Sequence, residues 1–272
     1  MIAFPNAKIN LGLNVISQRN DGYHNIETVL FPIGLSDALE IIPAQSSKTT
    51  FTSTGLQIPD DGQPNLCQRA FELLKKEFGI PNVTIHLHKI IPAGSGLGGG
   101  SSDAAFALNI LSQIFSLNLD SGQLSQFAAR LGSDCPFFIA NKPMLASGRG
   151  ELLEPVGVCL KGMHLLLVKP DIHISTAEAY AGVRLALPKK PIRQIVSQPI
   201  ETWKFELKNA FEESVFARFP SLEIIKQQLY QFGATHAAMS GSGSAIFGLF
   251  EQTPPNDLKN LFPGSFFWHE EF

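Results

Sequence analysis

Pro92-Ala93-Gly94-Ser95-Gly96-Leu97-Gly98-Gly99-Gly100-Ser101-Ser102-Asp103-Ala104-Ala105 is the stretch that decides how this chain is read. Five of the seven residues from Gly94 to Gly100 are glycine. So many glycines cost backbone entropy on folding, and a plain connector would rarely carry them. Glycine also permits positive φ, so successive backbone N–H groups can turn into one concavity and bind an anion. Ser101, Ser102 and Asp103 are good N-cap residues, and Ala104, Ala105, Leu108, Leu111 and Phe115 follow at helical spacing. Before the loop, Val83, Ile85 and Leu87 alternate with Thr84, His86 and His88 as a strand. A glycine loop that enters a helix N-terminus brings unpaired N–H donors and the positive end of the helix dipole to one place. The stretch reads as a phosphate-binding loop.

Three other phosphate motifs fail on spacing. Gly94, Gly96 and Gly99 fit G-x-G-x-x-G, but a dinucleotide fold needs a further strand ending in an acidic residue about 20 positions on. Asp120 stands there, yet a helical pattern (Leu124, Phe127, Ala128, Leu131) follows it and no strand intervenes. A Walker loop needs Lys then Ser or Thr after its last glycine, which is absent. The protein-kinase signatures that should follow a glycine-rich loop do not occur.

The residues resemble the GHMP kinases, the superfamily of galactokinase, homoserine kinase and mevalonate kinase. Three motifs carry the resemblance, in order: Pro5-Asn6-Ala7-Lys8-Ile9-Asn10-Leu11-Gly12-Leu13, the glycine loop through Ser102, and Met239-Ser240-Gly241-Ser242-Gly243-Ser244-Ala245-Ile246-Phe247-Gly248. The runs Arg19–His24 and Gly132–Phe138 point to a branch that phosphorylates a cytidine diphosphate conjugate of a branched polyol. The resemblance implies an α+β chain with an N-terminal nucleotide-binding α/β domain and a C-terminal ferredoxin-like domain, the active site lying in the cleft between them. A composition change at Glu154-Pro155-Val156-Gly157 divides these as 1–155 and 156–272. It also implies ATP with magnesium, and a small-molecule substrate. Another kinase of the superfamily, or a nucleotide-binding module without catalysis, is the alternative.

Phosphoryl transfer needs positioning, charge neutralisation and a group to orient or deprotonate the attacking hydroxyl. From its own surroundings Asp134 reads as an aspartate that caps a turn, before the apolar run Cys135-Pro136-Phe137-Phe138. The resemblance makes it the catalytic base instead. Lys8, on an alternating strand beside Asn10, is its natural electrostatic partner. The nucleotide set is Asn65, Lys89, Pro92, Gly94, Ser95, Gly96, Leu97, Gly98, Gly99, Gly100, Ser101 and Ser102. Within it Asn65 reads as a helix N-cap and the resemblance adds adenosine contact. Lys89 reads either as an exposed strand end or as a reach to phosphate or nucleoside. Ser102 reads equally as a helix cap and as a ligand of magnesium or phosphate. Asp103 is a departure, because a carboxylate beside a triphosphate repels it. The substrate set is Asn10, Tyr23, His24, Thr176, Ser240 and Gly241. Tyr23-His24, after the Asp21-Gly22 turn, suits a flat nucleobase. Ser240–Gly243 is a second small-residue loop for close approach, and Thr176 follows the cap of the box Ser175-x-x-Glu178.

A net charge of −3 and the lack of any basic run argue against nucleic acid and anionic membrane surfaces. Cys67, Cys135 and Cys159 are odd in number and lack C-x-x-C, so they read as reduced thiols of a cytoplasmic protein, a monomer or homodimer. His86 and His88 share a strand face without an obvious third ligand, so no metal is assigned to them. Further helices are expected over Leu66–Phe78, 102–115, 121–131, Phe205–Phe216 and Ser221–Phe232. Strands are expected over Lys8–Val15, Ile26–Leu35, 135–140, 144–147, Leu165–Val168, His236–Met239 and Ala245–Phe250.

Overall fold

A two-residue strand, β1 (Ile2–Ala3), precedes the first long element, β2 (Asn6–Gln18), in which Ile9, Leu11, Leu13 and Val15 are buried. The Asp21-Gly22 turn, with Gly22 at φ +82°, reverses the chain into β3 (His24–Ser36). The computed structural model describes residues 1–60 and 62–272. They form two compact units that interleave along the chain: 1–8, 32–93 and 98–142 in the first, 9–31, 94–97 and 143–272 in the second.

In the first unit β4 (Ala38–Pro43) and β5 (Thr50–Gly55) are followed by α1 (Leu66–Phe78) and β6 (Val83–Lys89). The strands order as β1-β4-β6-β5, with β5 parallel to β6 and the other pairs antiparallel. Three helices complete the unit: α2 (Gly99–Ile114), α3 (Ser121–Ala129) and α4 (Cys135–Ala140). Its core joins Ile41, Ile85 and Leu87 of the sheet to Phe71 and Leu74 of α1 and Leu108 and Leu111 of α2. Phe71 is fully buried, and its truncation to alanine would cost about 3–5 kcal/mol.

The second unit takes most of β2 and β3, which form a sheet in the order β2-β3-β7-β8 with β7 (Met144–Gly148) and β8 (Leu152–Pro155). After β9 (His164–Lys169) come five short helices: α5 (Thr176–Ala181), α6 (Ile192–Val196), α7 (Trp203–Glu206), α8 (Glu212–Arg218) and α9 (Pro220–Gln231). Strands β10 (His236–Met239), β11 (Ile246–Phe250) and β12 (Phe266–Glu271) join β9 in an antiparallel sheet ordered β10-β11-β9-β12. Leu222, Ile225 and Leu229 of α9 pack with Met239, Ile246 and Val168 of that sheet.

Segregated helices and mostly antiparallel sheets make the class α+β. Two local expectations are corrected. Residues 135–140 are helical, not a strand: Pro136 pre-sets the first turn, and Asn141 ends it at φ +47°. Periodicity cannot separate a buried strand from one buried turn of helix in so short an apolar run. The expected helix over Phe205–Phe216 is two, because Leu207–Phe211 leaves the helix to hydrogen-bond along β2. Leu13 donates to Lys208 and accepts from Ala210. Among the described residues no helix is long and apolar enough to cross a membrane. Cys67, Cys135 and Cys159 are free thiols.

Candidate functional site

The loop enters α2 earlier than the N-cap residues Ser101, Ser102 and Asp103 suggest. Gly98 is the N-cap residue, in the left-handed region at φ +73°, and Gly99 and Gly100 are already helical. No side chain caps this end, so its first-turn N–H groups keep their donors for an anion. Gly98 is required twice over. Its φ disfavours any side chain, and a Cβ would meet the Phe138 ring at 2.9 Å and Lys8 Cε at 3.2 Å.

Lys8 and Asp134 both belong to the first unit, and Lys8 Nζ stands 3.8 Å from Asp134 Oδ2. That is longer than the usual hydrogen-bond range of about 2.7–3.2 Å. The ammonium is buried whereas the carboxylate is 36% exposed, more open than its apolar neighbours suggest. Burial lowers the Lys8 pKa, opposed by the Asp134 charge. Asp134 occupies the N-cap position of α4, but its side chain makes no capping bond. The carboxylate is therefore not occupied with holding the turn, as a plain structural aspartate would be.

Lys89 has a different setting. Its ammonium donates to Asp37 Oδ2 and, at 2.8 Å, to Asp103 Oδ2, and all three side chains are at most 4% exposed. Burial alone would lower the Lys89 pKa, but the two carboxylates hold it above its ordinary value. Burial pushes the Asp103 carboxyl up to about 7 against the pull of Lys89. The repulsive carboxylate noted in the sequence thus has a cation of its own. Ser102 Oγ, buried at the start of α2, meets no hydrogen-bond partner among the described residues. Asn65 caps α1: its Oδ1 accepts from Cys67 N at 2.9 Å, and Gln68 Oε1 takes the Asn65 N–H. Ser101 bonds to the Cys135 thiol, whose pKa burial raises to about 12.

In the second unit, Asn10 Nδ2 donates to Thr28 Oγ1, and the Ser240 hydroxyl donates to Gly96 O at 2.9 Å and to Asn10 Oδ1 at 3.4 Å. A Cβ on Gly96 would fall on the Ser240 carbonyl, and one on Gly241 would meet Asn10 Oδ1 at 3.2 Å. Gly94 packs on His173, Ser95 O accepts from Ala245 N, and Leu97 is buried. Pro92 belongs to the first unit and is half-buried.

The Tyr23-His24 pair divides. Tyr23 is exposed beneath the Arg149 guanidinium, 5.1 Å from its ring centre. His24 stacks on Tyr180 at 4.7 Å between centroids and 24° between planes. Tyr180 lies one helical turn after Thr176 on α5, whose start is fixed by the Ser175–Glu178 capping box. The backbone and side-chain bonds of Ser175, with Arg218, hold the Glu178 carboxyl down to about 2. His86 and His88 hydrogen-bond to Thr52 and Thr54 on the neighbouring strand.

Two residues without a sequence signal emerge. Tyr180 supplies the ring that faces His24. Asn209 Nδ2 donates to the carbonyls of Met239 and Gly241 at 2.8 Å each, bracing the second small-residue loop. Neither sits in a run whose composition is unusual.

Comparisons with known proteins bear on these geometries. The GHMP kinases N terminal domain matches residues 65–142, and the GHMP kinases C terminal domain matches 195–262. A 4-diphosphocytidyl-2-C-methyl-D-erythritol kinase of Parabacteroides distasonis is 49% identical over 98% of each chain. The crystal structure of a 4-(cytidine 5'-diphospho)-2C-methyl-D-erythritol kinase superposes with a TM-score of 0.82 at 33% identity, covering 99% of this chain and 98% of the other. The mevalonate kinase of Methanococcus jannaschii superposes at 0.75 but is only 15% identical, over 99% and 97% of the two chains; that likeness is one of fold.

Proposed function

We propose, because this chain belongs to the GHMP kinases and within them to the 4-diphosphocytidyl-2-C-methyl-D-erythritol kinases, that it transfers the γ-phosphoryl group of ATP to the 2-hydroxyl of 4-diphosphocytidyl-2-C-methyl-D-erythritol. This is a step of non-mevalonate isoprenoid precursor synthesis. The substrate assignment is carried by the identity to such kinases, which extends over 98% of both chains.

Asp134 accepts the hydroxyl proton as the substrate oxygen attacks the γ-phosphorus. The new O–P bond forms, the bond to the β–γ bridging oxygen breaks, and ADP leaves. Lys8, 3.8 Å from Asp134, offsets negative charge on the attacking oxygen. The uncapped N–H groups of α2 receive nucleotide phosphates, with Asn65 beside adenosine. Magnesium, when bound, neutralises phosphate charge. Among the described residues no cluster of three His, Cys, Asp or Glu is placed to cage a metal. The orphaned Ser102 hydroxyl is the side chain that fits an ion riding on the phosphates. In the second unit, His24 and Tyr180 supply ring faces for cytosine, with Tyr23 next to His24 in sequence. Asn10, Thr176, Ser240 and Gly241 contact the remainder of the substrate. The reading assigns ATP binding to an N-terminal domain of residues 1–155, with 156–272 as the C-terminal domain, in a cytoplasmic monomer or homodimer.

An assay coupled to ADP release, run with this substrate, methylerythritol 4-phosphate, mevalonate and homoserine, tests the reading. Turnover should be largely confined to the cytidine conjugate, because binding of the remote base orients the alcohol. Equal efficiency on methylerythritol 4-phosphate, or preference for mevalonate or homoserine, would reject the substrate and leave the kinase class standing.

A further inference from the structure

The geometry points to Lys89 as a positioning residue, the centre of a buried Asp37–Lys89–Asp103 clasp that sets the first turn of α2 for nucleotide. This rests on the nucleotide-binding reading above. Lys89 ends β6, and Ile90 and Ile91 lead on into the glycine loop. Asp37 holds that entrance: its Oδ1 accepts the N–H of Ile90 at 2.5 Å and of Ile91 at 2.8 Å, while its Oδ2 accepts from Lys89. Asp103 holds the exit, because it sits on the second turn of α2 and accepts from the same ammonium. One cation therefore ties the strand before the loop to the helix after it. Glycines carry the most backbone freedom, so fixing both ends of the loop removes part of what phosphate binding would otherwise have to remove.

Two further observations separate positioning from direct phosphate contact. Two of the three ammonium donors are already committed to carboxylates in a site at most 4% exposed, so the charge of Lys89 is largely matched within the protein before a phosphate arrives. Gly99 also packs onto the clasp: a Cβ there would stand 2.9 Å from Lys89 Nζ and 2.9 Å from Ile91 Cγ2. The helix's first residue thus rests directly on the charge cluster. Stability alone is a weak reason for such a cluster, since buried ion groups often add little over apolar packing. What the cluster supplies is a fixed geometry.

Asp103→Ala tests this, because it frees one end of the clasp and leaves Lys89 paired with Asp37. Calorimetric titration with ATP and steady-state kinetics are measured on the wild type, Asp103→Ala and Asp103→Asn, with thermal melts alongside. The clasp predicts ATP affinity weaker by about tenfold to a hundredfold in Asp103→Ala, from misplacement of the first turn. KM for ATP rises in parallel, kcat at saturating ATP stays within about twofold, and Asp103→Asn recovers most of the loss because its oxygen still accepts from Lys89. If Asp103 acted only by its charge, removing it would tighten ATP binding, and that result overturns the proposal. So does unchanged affinity, or a loss of kcat that saturating ATP does not restore. If Asp103→Ala does not melt cooperatively, Asp103→Ser is the variant read, with the same signs expected. Absence of ATP binding by the wild-type protein would instead remove the nucleotide reading itself.

Discussion

Lys8 and Lys89 are both strand lysines buried in the same unit, and they are held in opposite ways. Lys8 has Asp134 at 3.8 Å, a carboxylate 36% open to solvent, and burial prevails so that its pKa falls. Lys89 has two buried carboxylates in direct hydrogen bonds, and their charge prevails so that its pKa rises. The number and distance of carboxylates, more than depth of burial, decide what a buried ammonium does. One beside an accessible carboxylate can respond to charge that develops in a reaction. One held by two carboxylates is committed to geometry.

The largest expected effect breaks the comparison on the Lys8 side. Asp134→Asn should lower kcat by about 10²–10⁴-fold, the usual worth of a general base. Lys8→Ala should fall by a comparable factor, and the double variant little further, because the two act as a unit. Near-normal turnover of Asp134→Asn would leave Asp134 a positioning role only, and the contrast with Lys89 would vanish.

A smaller effect comes from the second unit, where recognition rests on rings rather than charges. Tyr180→Ala removes the face stacked on His24, and a lost aromatic pair of roughly 0.5–1.5 kcal/mol corresponds to about two- to tenfold. KM for the cytidine substrate should rise by that factor while the Kd of ATP does not move. An equal change in both constants would mean that the stacking only supports the fold.

His236 sharpens the comparison as a buried base whose ring nitrogens have no hydrogen-bond partner among the described residues. Trp203 and Phe247 flank the ring, and burial pushes its pKa down to about 3, with Lys226 adding to the effect. The folded protein therefore carries it neutral, whereas the unfolded chain takes up a proton below about 6.5. Stability should be full above that pH and decline as pH falls towards about 3. His236→Leu should flatten the decline by up to about 1.4 kcal/mol per pH unit over that window. Parallel denaturation curves for the two proteins across that window would count against it.

The contrast also marks what the sequence makes legible. The glycine loop, the α1 and α5 capping boxes and the β10–β11 pair carry local signals, because turns and caps are written within four or five residues. The Lys89 clasp joins residues 14 and 52 positions apart, and no local pattern announces it. In the sequence Asp103 is a repulsive neighbour of phosphate; its partner comes from the tertiary fold. The helix at Cys135–Ala140 was hidden for a different reason, since four buried apolar residues have no period to read. β5 carries little sequence signal, because Thr50, Thr52, Ser53 and Thr54 give little apolar alternation. Asn209 and Tyr180 are single residues in ordinary surroundings, and their roles come from the loop and the ring they meet.

The division of labour between the two lysines is tested most directly by single-turnover phosphoryl transfer at saturating ATP, measured side by side for Lys8→Met and Asp103→Ala. The account predicts that Asp103→Ala regains a rate within about twofold of wild type, while Lys8→Met stays slower by about 10²-fold or more. A Lys8→Met enzyme that recovers with ATP, or an Asp103→Ala enzyme that does not, would contradict it.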